Sequence, residues 1–434
     1  MEKIDHYRSC LWGNVPNPNK EVKILGGGIS GLLLVWHLRN AGYEVVLHEK
    51  ASHAGGLIHT HHGTFGTFES AANGIIWSAE MEALCKSLSL TPIKSLPQSR
   101  KRYVWIQGKW KQVPGSFILP ILSRLPFVLK SYPHPQWNSI AEMGNEILGT
   151  RLLKQVLSPA LYGIYAAEAE ALSFEAVFPG IANEMNEGKS LFQSILHQRK
   201  NQKPSPRKGL HSFEKGIQTL TDALTKDLGD SIRLSSTPEF SPDEQWISCL
   251  PAHQIASWTN DSFLKEQLTQ LTYLPLVSFT IFLDKKQLPQ LPPGFGVLIP
   301  GENNLPILGI LFNHQIFPFR TQNESIISLT IIAGGPRSGP WNQPSPDTGE
   351  IEQLLLKALK KILPFEGNPL EQNLFLYPQA LPLYGLNYPI IKNKIRAYLS
   401  KEVPNLSLFG NYTGEISIRG LCTVSAWIAQ EGRA

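Results

Sequence analysis

Residues 22–33 read VKILGGGISGLL, and no other stretch constrains the fold as tightly. Glycine weakens the interior of a strand or helix, so three in succession after an apolar run need a reason. Gly26, Gly28 and Gly31 satisfy GxGxxG between EVKIL, a short strand pattern, and ISGLLLVWHLRNAG, whose apolar residues recur at helical spacing. Gly42 stands where a helix C-terminal glycine is expected, and YEVVLHE resumes a buried strand. Residues 21–49 therefore predict a βαβ unit. Its glycines would provide a tight turn, close approach of backbone to a pyrophosphate, and close packing of helix on strand. Amides at the helix start, around Ile29 and Ser30, would then face the phosphate charge. Glu49 follows at the end of the second strand, where an acidic residue about twenty positions on binds ribose hydroxyls. Together these features predict a dinucleotide site over an ordinary flexible turn.

The rest of the chain narrows the class. Its 434 residues suggest about two to three domains. A net charge of +5 without a dense basic tract speaks against nucleic acid and suits an anionic small substrate or an acidic membrane surface. The four cysteines, Cys10, Cys85, Cys249 and Cys422, form no CxxC pair. They predict neither a disulfide framework nor a zinc site, and point to a reducing, cytoplasmic setting. The first 20 residues carry no apolar h-region, so no signal peptide is expected. FILPILSRLPFVLK, residues 117–130, is too short and too interrupted by two prolines and Arg124 to span a bilayer. Peripheral contact with the inner face of the cell membrane suits it better. His59, His61 and His62 form HxHH with no carboxylate or cysteine partner, which predicts partly exposed imidazoles and no metal.

Residues 80–200 read as largely helical, interrupted by a hairpin at RYVWIQGKWKQVP. Residues 196–209 are polar, basic and proline-containing, and predict an exposed loop. FEKGIQTLTDALTKDLG predicts a helix ending at Gly229, strand-like runs dominate 231–335, and a helix follows near 349–363. LSLFGNYTGEISIRGLCTVSAWIAQ closes the chain as strand, turn and helix.

Beyond Glu49 and Lys50, the run KASHAGGLIHT resembles the double-glycine element of the flavin amine oxidase superfamily, with Gly55 and Gly56 in register. His53 stands where arginine is usual and Leu57 where a basic residue is common. Gly216 in FEKGIQTLTDAL resembles the superfamily's G-x-x-x-L element, and LFGNYTGEISI resembles the junction that closes over the isoalloxazine ring. The resemblance implies non-covalent FAD in preference to NAD, held by Gly26, Gly28, Ile29, Ser30, Gly31, Glu49, Lys50, Gly55, Gly56, Leu57, Gly410, Asn411, Gly414, Ile416 and Ser417. Glu415 is unusual at that apolar junction, and Cys422 implies a buried structural thiol, not a flavin attachment. Glu69 in FESAANG resembles the acidic residue after the double glycine, with a site role and a structural role both open.

The segment LYGIYAAEAEALSFEAVFPGIANEMNEGKSLFQSI resembles the protoporphyrinogen oxidase family, in which G-V-[FY]-A-G, LS, FP, E and S recur in this order. RYVWIQGKWKQVP, GFGVLIPGENNLPILGILFN and LPLYGLNYP resemble further segments of that family, also in order. Ala166, Ala167 and Glu168 replace the usual AG followed by Asp or Asn. The family removes six electrons from a porphyrinogen macrocycle in three passes, with dioxygen as acceptor, in haem synthesis. The resemblance implies an α/β fold with a Rossmann-like FAD domain (1–80, 205–265, 395–434), a mixed-sheet substrate domain (81–110, 266–394) and an inserted helical domain (111–204). It implies Arg102 as anchor for a substrate carboxylate, with Lys101 and Arg100 as nearby substitutes, and Gly163, Phe295, Gly296 and Leu298 as ring contacts. No protein base is assigned. A haem-pathway enzyme is the implied protein partner. Other readings remain: coproporphyrinogen III as substrate, an amine oxidase with Tyr384 and Tyr388 as a loose aromatic cage, and a flavin-bearing carrier of tetrapyrroles.

Overall fold

A computed structural model of the chain describes residues 2–132, 136–201, 204–288, 290–337 and 339–433. A five-stranded sheet runs in the order Ile232–Arg233, Val45–His48, Val22–Leu25, Gln245–Ser248, Leu406–Leu408, with every pairing parallel. The Val22–Leu25 strand feeds the helix Ile29–Asn40, as its spacing predicts. That helix buries Leu32, Leu33, Leu34, Val35 and Leu38, being covered by the sheet on one side and by the C-terminal helix Ile418–Glu431 on the other. An element apolar all round needs such double cover.

A seven-stranded mixed sheet runs Glu371–Pro382, Tyr273–Asp284, Ile326–Gly334, Ile307–Phe312, Gly296–Leu298, Arg102–Ile106, Lys109–Val113. The expected hairpin is its last antiparallel pair, and Arg102–Ile106 joins Gly296–Leu298 in parallel. The helix Thr348–Ile362 starts at Asp347, whose carboxylate accepts from Gly349 N at 2.8 Å. Its stripe of Ile351, Leu355, Ala358, Leu359 and Ile362 is buried in the core on one face of this sheet. The helix Ser158–Tyr165 packs on strands Ile307–Phe312 and Gly296–Leu298, and its Tyr162 and Ala166 cluster with Leu308.

Between 114 and 201 the described residues are largely helical, as expected, but the polar stretch from 196 is not all loop. The helix Leu191–Asn201 covers its first residues, and 202–203 lie outside the described residues. The helix expected from Phe213 begins at Gln218 and ends at Gly229. Two helices, Ala252–Trp258 and Ser262–Thr269, interrupt the region expected to be strand-dominated. Pro251 and Asp261 start them, and Asp261 accepts from Leu264 N at 2.8 Å.

A buried ion pair joins the hairpin of strands Thr60–His62 and Thr67–Glu69 to the connection between Ile307–Phe312 and Ile326–Gly334 of the mixed sheet. Glu69, at the end of strand Thr67–Glu69, accepts from Arg320 Nη2 at 3.2 Å, Thr60 Oγ1 at 2.7 Å and Ile217 N at 3.0 Å. Arg320 also donates to the Asn73 carbonyl at 2.8 Å, and both side chains are 1% exposed. Burial raises the Glu69 pKa, while Arg320 and the two other donors oppose that rise. Removing one member of such a pair strands a charge, at a cost of about 3–5 kcal/mol. Arg320→Ala is expected to lose about that much in urea unfolding, and the double variant Arg320→Ala/Glu69→Gln to recover part of it; an unchanged midpoint for Arg320→Ala would refute the structural weight given to the pair.

Candidate active site

The Val22–Leu25 strand has one parallel neighbour on each side, and its C-terminal end therefore opens at the sheet's switch point, where ligands bind in open α/β folds. Gly26 has φ +104° and donates to the His48 carbonyl at 2.8 Å. A Cβ on Gly31 would lie 2.0 Å from the Gly26 carbonyl oxygen, so the helix can approach the strand only without one. Gly28 differs, since its Cβ would meet nothing within 4 Å. Gly28 begins the helix with extended backbone and no side-chain cap, which leaves first-turn amides around Ile29 and Ser30 facing open space.

Glu49 borders this space. Its two carboxylate oxygens accept from Gly27 N at 2.6 Å and Ala51 N at 2.8 Å, which fixes the group while leaving lone pairs on its outer side. Gly55 N donates to the Gly27 carbonyl at 2.8 Å, and a Cβ on Gly56 would stand 3.0 Å from Gly28 Cα. The double glycine thus lies directly against the first glycine turn. Lys50 and Leu57 are exposed at this rim. An uncapped helix start, an open volume over Gly28 and a fixed carboxylate fit the phosphates and ribose of a dinucleotide.

The terminal segment meets the same strand ends. Phe409 N donates to the Ser248 carbonyl at 3.0 Å, and Gly410 approaches Cys249, while Gly26 borders Cys249 and Leu250 from the other side. Thr413 Oγ1 closes the turn by donating to the Gly410 carbonyl at 2.9 Å. Asn411 is held through its carbonyl, which accepts from the Tyr384 hydroxyl at 2.5 Å; Tyr388 donates to the Tyr412 carbonyl at 2.7 Å. Both tyrosines are buried, so they pin this segment and offer no open aromatic cage. Ser417 caps the last helix by accepting from Gly420 N at 3.0 Å, with Gly414 and Ile416 partly buried before it. Cys422 is fully buried, its Sγ 3.6 Å from His37 Nε2.

Arg102, Phe295, Gly296, Leu298 and Gly163 come together on the seven-stranded sheet. Gly296 pairs with Arg102 in register, and the Arg102 guanidinium lies 4.6 Å from the Phe295 ring centre. A Cβ on Gly163 would contact Leu298 Cδ2 at 3.3 Å and nothing else nearby. Gly163 and Ile164 are exposed, and Phe295 and Leu298 are half-buried. Gly296 itself is buried, and its Cβ would overlap the Ile310 carbonyl at 2.1 Å, so close strand pairing accounts for that glycine. Arg102 is an exposed residue, but its guanidinium is partly desolvated against Phe295, which lowers its pKa. Lys101 and Arg100 are exposed beside it.

Several contributors carry no motif. Arg337 lies 4.6 Å from the Tyr162 ring centre and donates to the Ile299 carbonyl at 2.6 Å and to the Ile307 carbonyl. With its guanidinium committed to carbonyls, it stiffens the Leu298 strand end. Ala166, in the left-handed conformation, ends the Ser158–Tyr165 helix against Gly335. Burial raises the Glu168 pKa, opposed by Tyr162 and Arg337. Ile164, one position beyond the Gly163 motif, is an exposed large apolar residue that motif reading passes over. His53, His59 and His61 form a run of neighbouring rings ending on Phe68 and Phe375, and His62 meets Thr67; burial and the adjacent imidazoles lower the His61 pKa.

A profile of the NAD(P)-binding Rossmann-like domain matches residues 24–88. Among curated proteins, the mitochondrial protoporphyrinogen oxidase of Nicotiana tabacum is 27% identical, covering 92% of this chain and 92% of that protein. The coproporphyrinogen III oxidase of Staphylococcus aureus is 19% identical, covering 90% of this chain and 94% of its own length. A solved structure from Exiguobacterium sp. 255-15, provisionally named a protoporphyrinogen oxidase, superposes with a TM-score of 0.77 at 19% identity, over 96% of this chain and 99% of that one. In sequence along about nine-tenths of its length, and in fold, this chain is a relative of the protoporphyrinogen oxidases, as its ordered motifs implied.

Proposed function

We propose that the chain oxidises a porphyrinogen to the corresponding porphyrin with non-covalent FAD and dioxygen, in haem synthesis, and that protoporphyrinogen IX is the substrate. One observation carries the reading: within a chain related over 92% of its length to such oxidases, the Arg102–Phe295 and Gly163–Leu298 contacts lie on the paired strands Arg102–Ile106 and Gly296–Leu298 and their flank. Bound FAD would supply the acceptor for each electron pair. Gly26, Gly28, Gly31, Gly55 and Gly56 would cradle its pyrophosphate, Glu49 its ribose, and the Gly410–Ser417 segment the ring end. Arg102 would hold a propionate bidentately, and Phe295, Leu298 and Ile164 would give a flat macrocycle apolar contact while excluding water. Holding the substrate in one orientation supplies much of the acceleration, and aromatisation of the product supplies the drive. Coproporphyrinogen III, with two further carboxylates, is the second reading. The S. aureus relative named for it and the exposed Lys101 and Arg100 beside Arg102 favour that alternative.

We also propose a peripheral membrane contact through the helices Ile118–Ser123 and Leu125–Leu129. No helix among the described residues is long and apolar enough to cross a membrane. These two short helices bury none of their residues, and Leu119 is 79% exposed. Ile118, Ile121, Leu122, Leu125, Phe127 and Leu129 are exposed with it, and Arg124, Lys130 and Arg151 flank the patch. Apolar side chains ringed by cations suit an anionic bilayer surface.

Anaerobic addition of protoporphyrinogen IX is expected to bleach the flavin spectrum, and side-by-side turnover should favour it over coproporphyrinogen III. A colourless protein that refuses flavin, or a strong preference for the four-carboxylate ring, would overturn the respective claims. Arg102→Ala should raise KM about 10- to 100-fold with a smaller change in kcat, the loss of a charged hydrogen bond worth about 1.5–3 kcal/mol. Gly28→Ala should fold with near-normal thermal stability yet lose flavin, because its methyl enters open space, whereas Gly31→Ala should fail to fold stably. Equal flavin content in Gly28→Ala and the parent would rule out the cradle. Vesicles containing anionic phospholipid should co-sediment the parent and not the triple variant Leu119→Ser/Leu122→Ser/Leu129→Ser; equal recovery would sink the membrane contact.

A further inference from the structure

We propose that His6, Cys10 and Glu415 form a binding site for a divalent transition-metal ion of the zinc type. His6, in the helix Glu2–Ser9, and Cys10 just beyond it stand four positions apart and share a face. Glu415 reaches them from the terminal segment, its Oε1 2.8 Å from His6 Nε2. Cys10 Sγ lies 3.9 Å from that same nitrogen. The three donor atoms fall within 4.8 Å of one another, the only such group of His, Cys, Asp and Glu found among the described residues.

The geometry favours coordination over a proton relay. A relay engages both imidazole nitrogens, one toward the nucleophile and one toward the carboxylate. Here thiol and carboxylate converge on Nε2, while Nδ1 is buried and has no partner. Donors bound to one tetrahedral ion at about 2.0–2.3 Å stand roughly 3.3–3.6 Å apart, so the two separations to His6 Nε2, 2.8 and 3.9 Å, lie within about half an ångström of that edge, and the Cys10–Glu415 separation, at most 4.8 Å, is the one that must close furthest. Two glycines make room for two of the donors. A Cβ on Gly414 would lie 2.9 Å from Cys10 Sγ, and one on Gly420 would lie 1.9 Å from Glu415 Oε2.

A small cavity of about 50 Å³, lined in part by His6, Ser9, Lys392 and Gly414, adjoins His6 and is large enough to hold a water. Thiolate, carboxylate and a dication sum to zero charge. The ion would staple the N-terminal helix to the segment carrying Gly414, Ile416 and Ser417, and this assignment does not depend on what that segment binds.

The test is Co²⁺ titration of the metal-stripped full-length protein, with metal content per chain measured in parallel on material loaded with Zn²⁺. The parent should take up one ion and develop the thiolate-to-cobalt absorption band. Cys10→Ser should lose that band, and His6→Ala and Glu415→Gln should each bind about 100-fold more weakly or worse, at least the loss that outer-shell changes cause at other sites. Cys85→Ser, at a buried cysteine elsewhere, should keep both the band and the stoichiometry. Circular dichroism checks that each variant is folded, and the band in the unaltered protein is a readout independent of any variant. A parent that binds Co²⁺ without a thiolate band, or no more tightly than folded Cys10→Ser, would overturn the proposal.

Discussion

Two charges that water cannot reach hold the molecule's halves in relation to each other. Glu69 gathers Arg320, Thr60 and the amide of Ile217, so that stretches from three distant parts of the chain meet at one carboxylate. Arg320 comes from the loop between two strands of the mixed sheet, while Thr60 and Ile217 flank the glycine cradle. A buried pair of this kind contributes little net stability compared with an apolar packing, but it tolerates few alternative arrangements. The carboxylate accepts every hydrogen bond within reach, and a shift of either sheet would leave one charge unpartnered.

Around this anchor the two sheets supply different things. The parallel sheet ends in backbone: amides at the start of Ile29–Asn40, the turn at Gly26, and the Gly410–Thr413 turn packed against Cys249. Backbone donors are fixed by the strands beneath them, so this end is pre-organised for an anionic ligand largely through its main chain. The mixed sheet ends in side chains, with Arg102 over Phe295 and Leu298 facing Gly163. Arg337 is a second guanidinium, yet both of its terminal nitrogens donate to carbonyls, those of Ile307 and Ile299. That contrast leaves Arg102 exposed to meet a ligand and makes Arg337 part of the scaffold.

Much of this was legible in residues that leave no local choice. GGGISG between apolar runs announced the turn and the helix, because only glycine tolerates the 2.0 Å approach that a Cβ on Gly31 would make to the Gly26 carbonyl oxygen. The hairpin at 102–113 and the helix at 348–362 followed from periodicity. Other features were hidden for physical reasons. Ala252–Trp258 and Ser262–Thr269 are short helices whose starts depend on single residues, and the apolar residues around them read as strands. The role of Glu69 stayed open because its partner, Arg320, lies 251 positions away. Tyr384 and Tyr388 suggested a cage until their hydroxyls were found on backbone carbonyls.

By itself the sequence determined the local conformations: where glycine was obligatory, where a helix must bury a stripe, where a strand must pair. Those follow from sterics and periodicity within a few turns of chain. Only the tertiary structure decided which charges meet, because a side chain's partner is set by how the chain closes in space and by whether water is excluded there. His6, Cys10 and Glu415 are three unremarkable residues in the sequence and one cluster in the fold. Arg102 and Arg320 look equally cationic in the sequence, and burial alone commits Arg320 to Glu69 and leaves Arg102 facing outward.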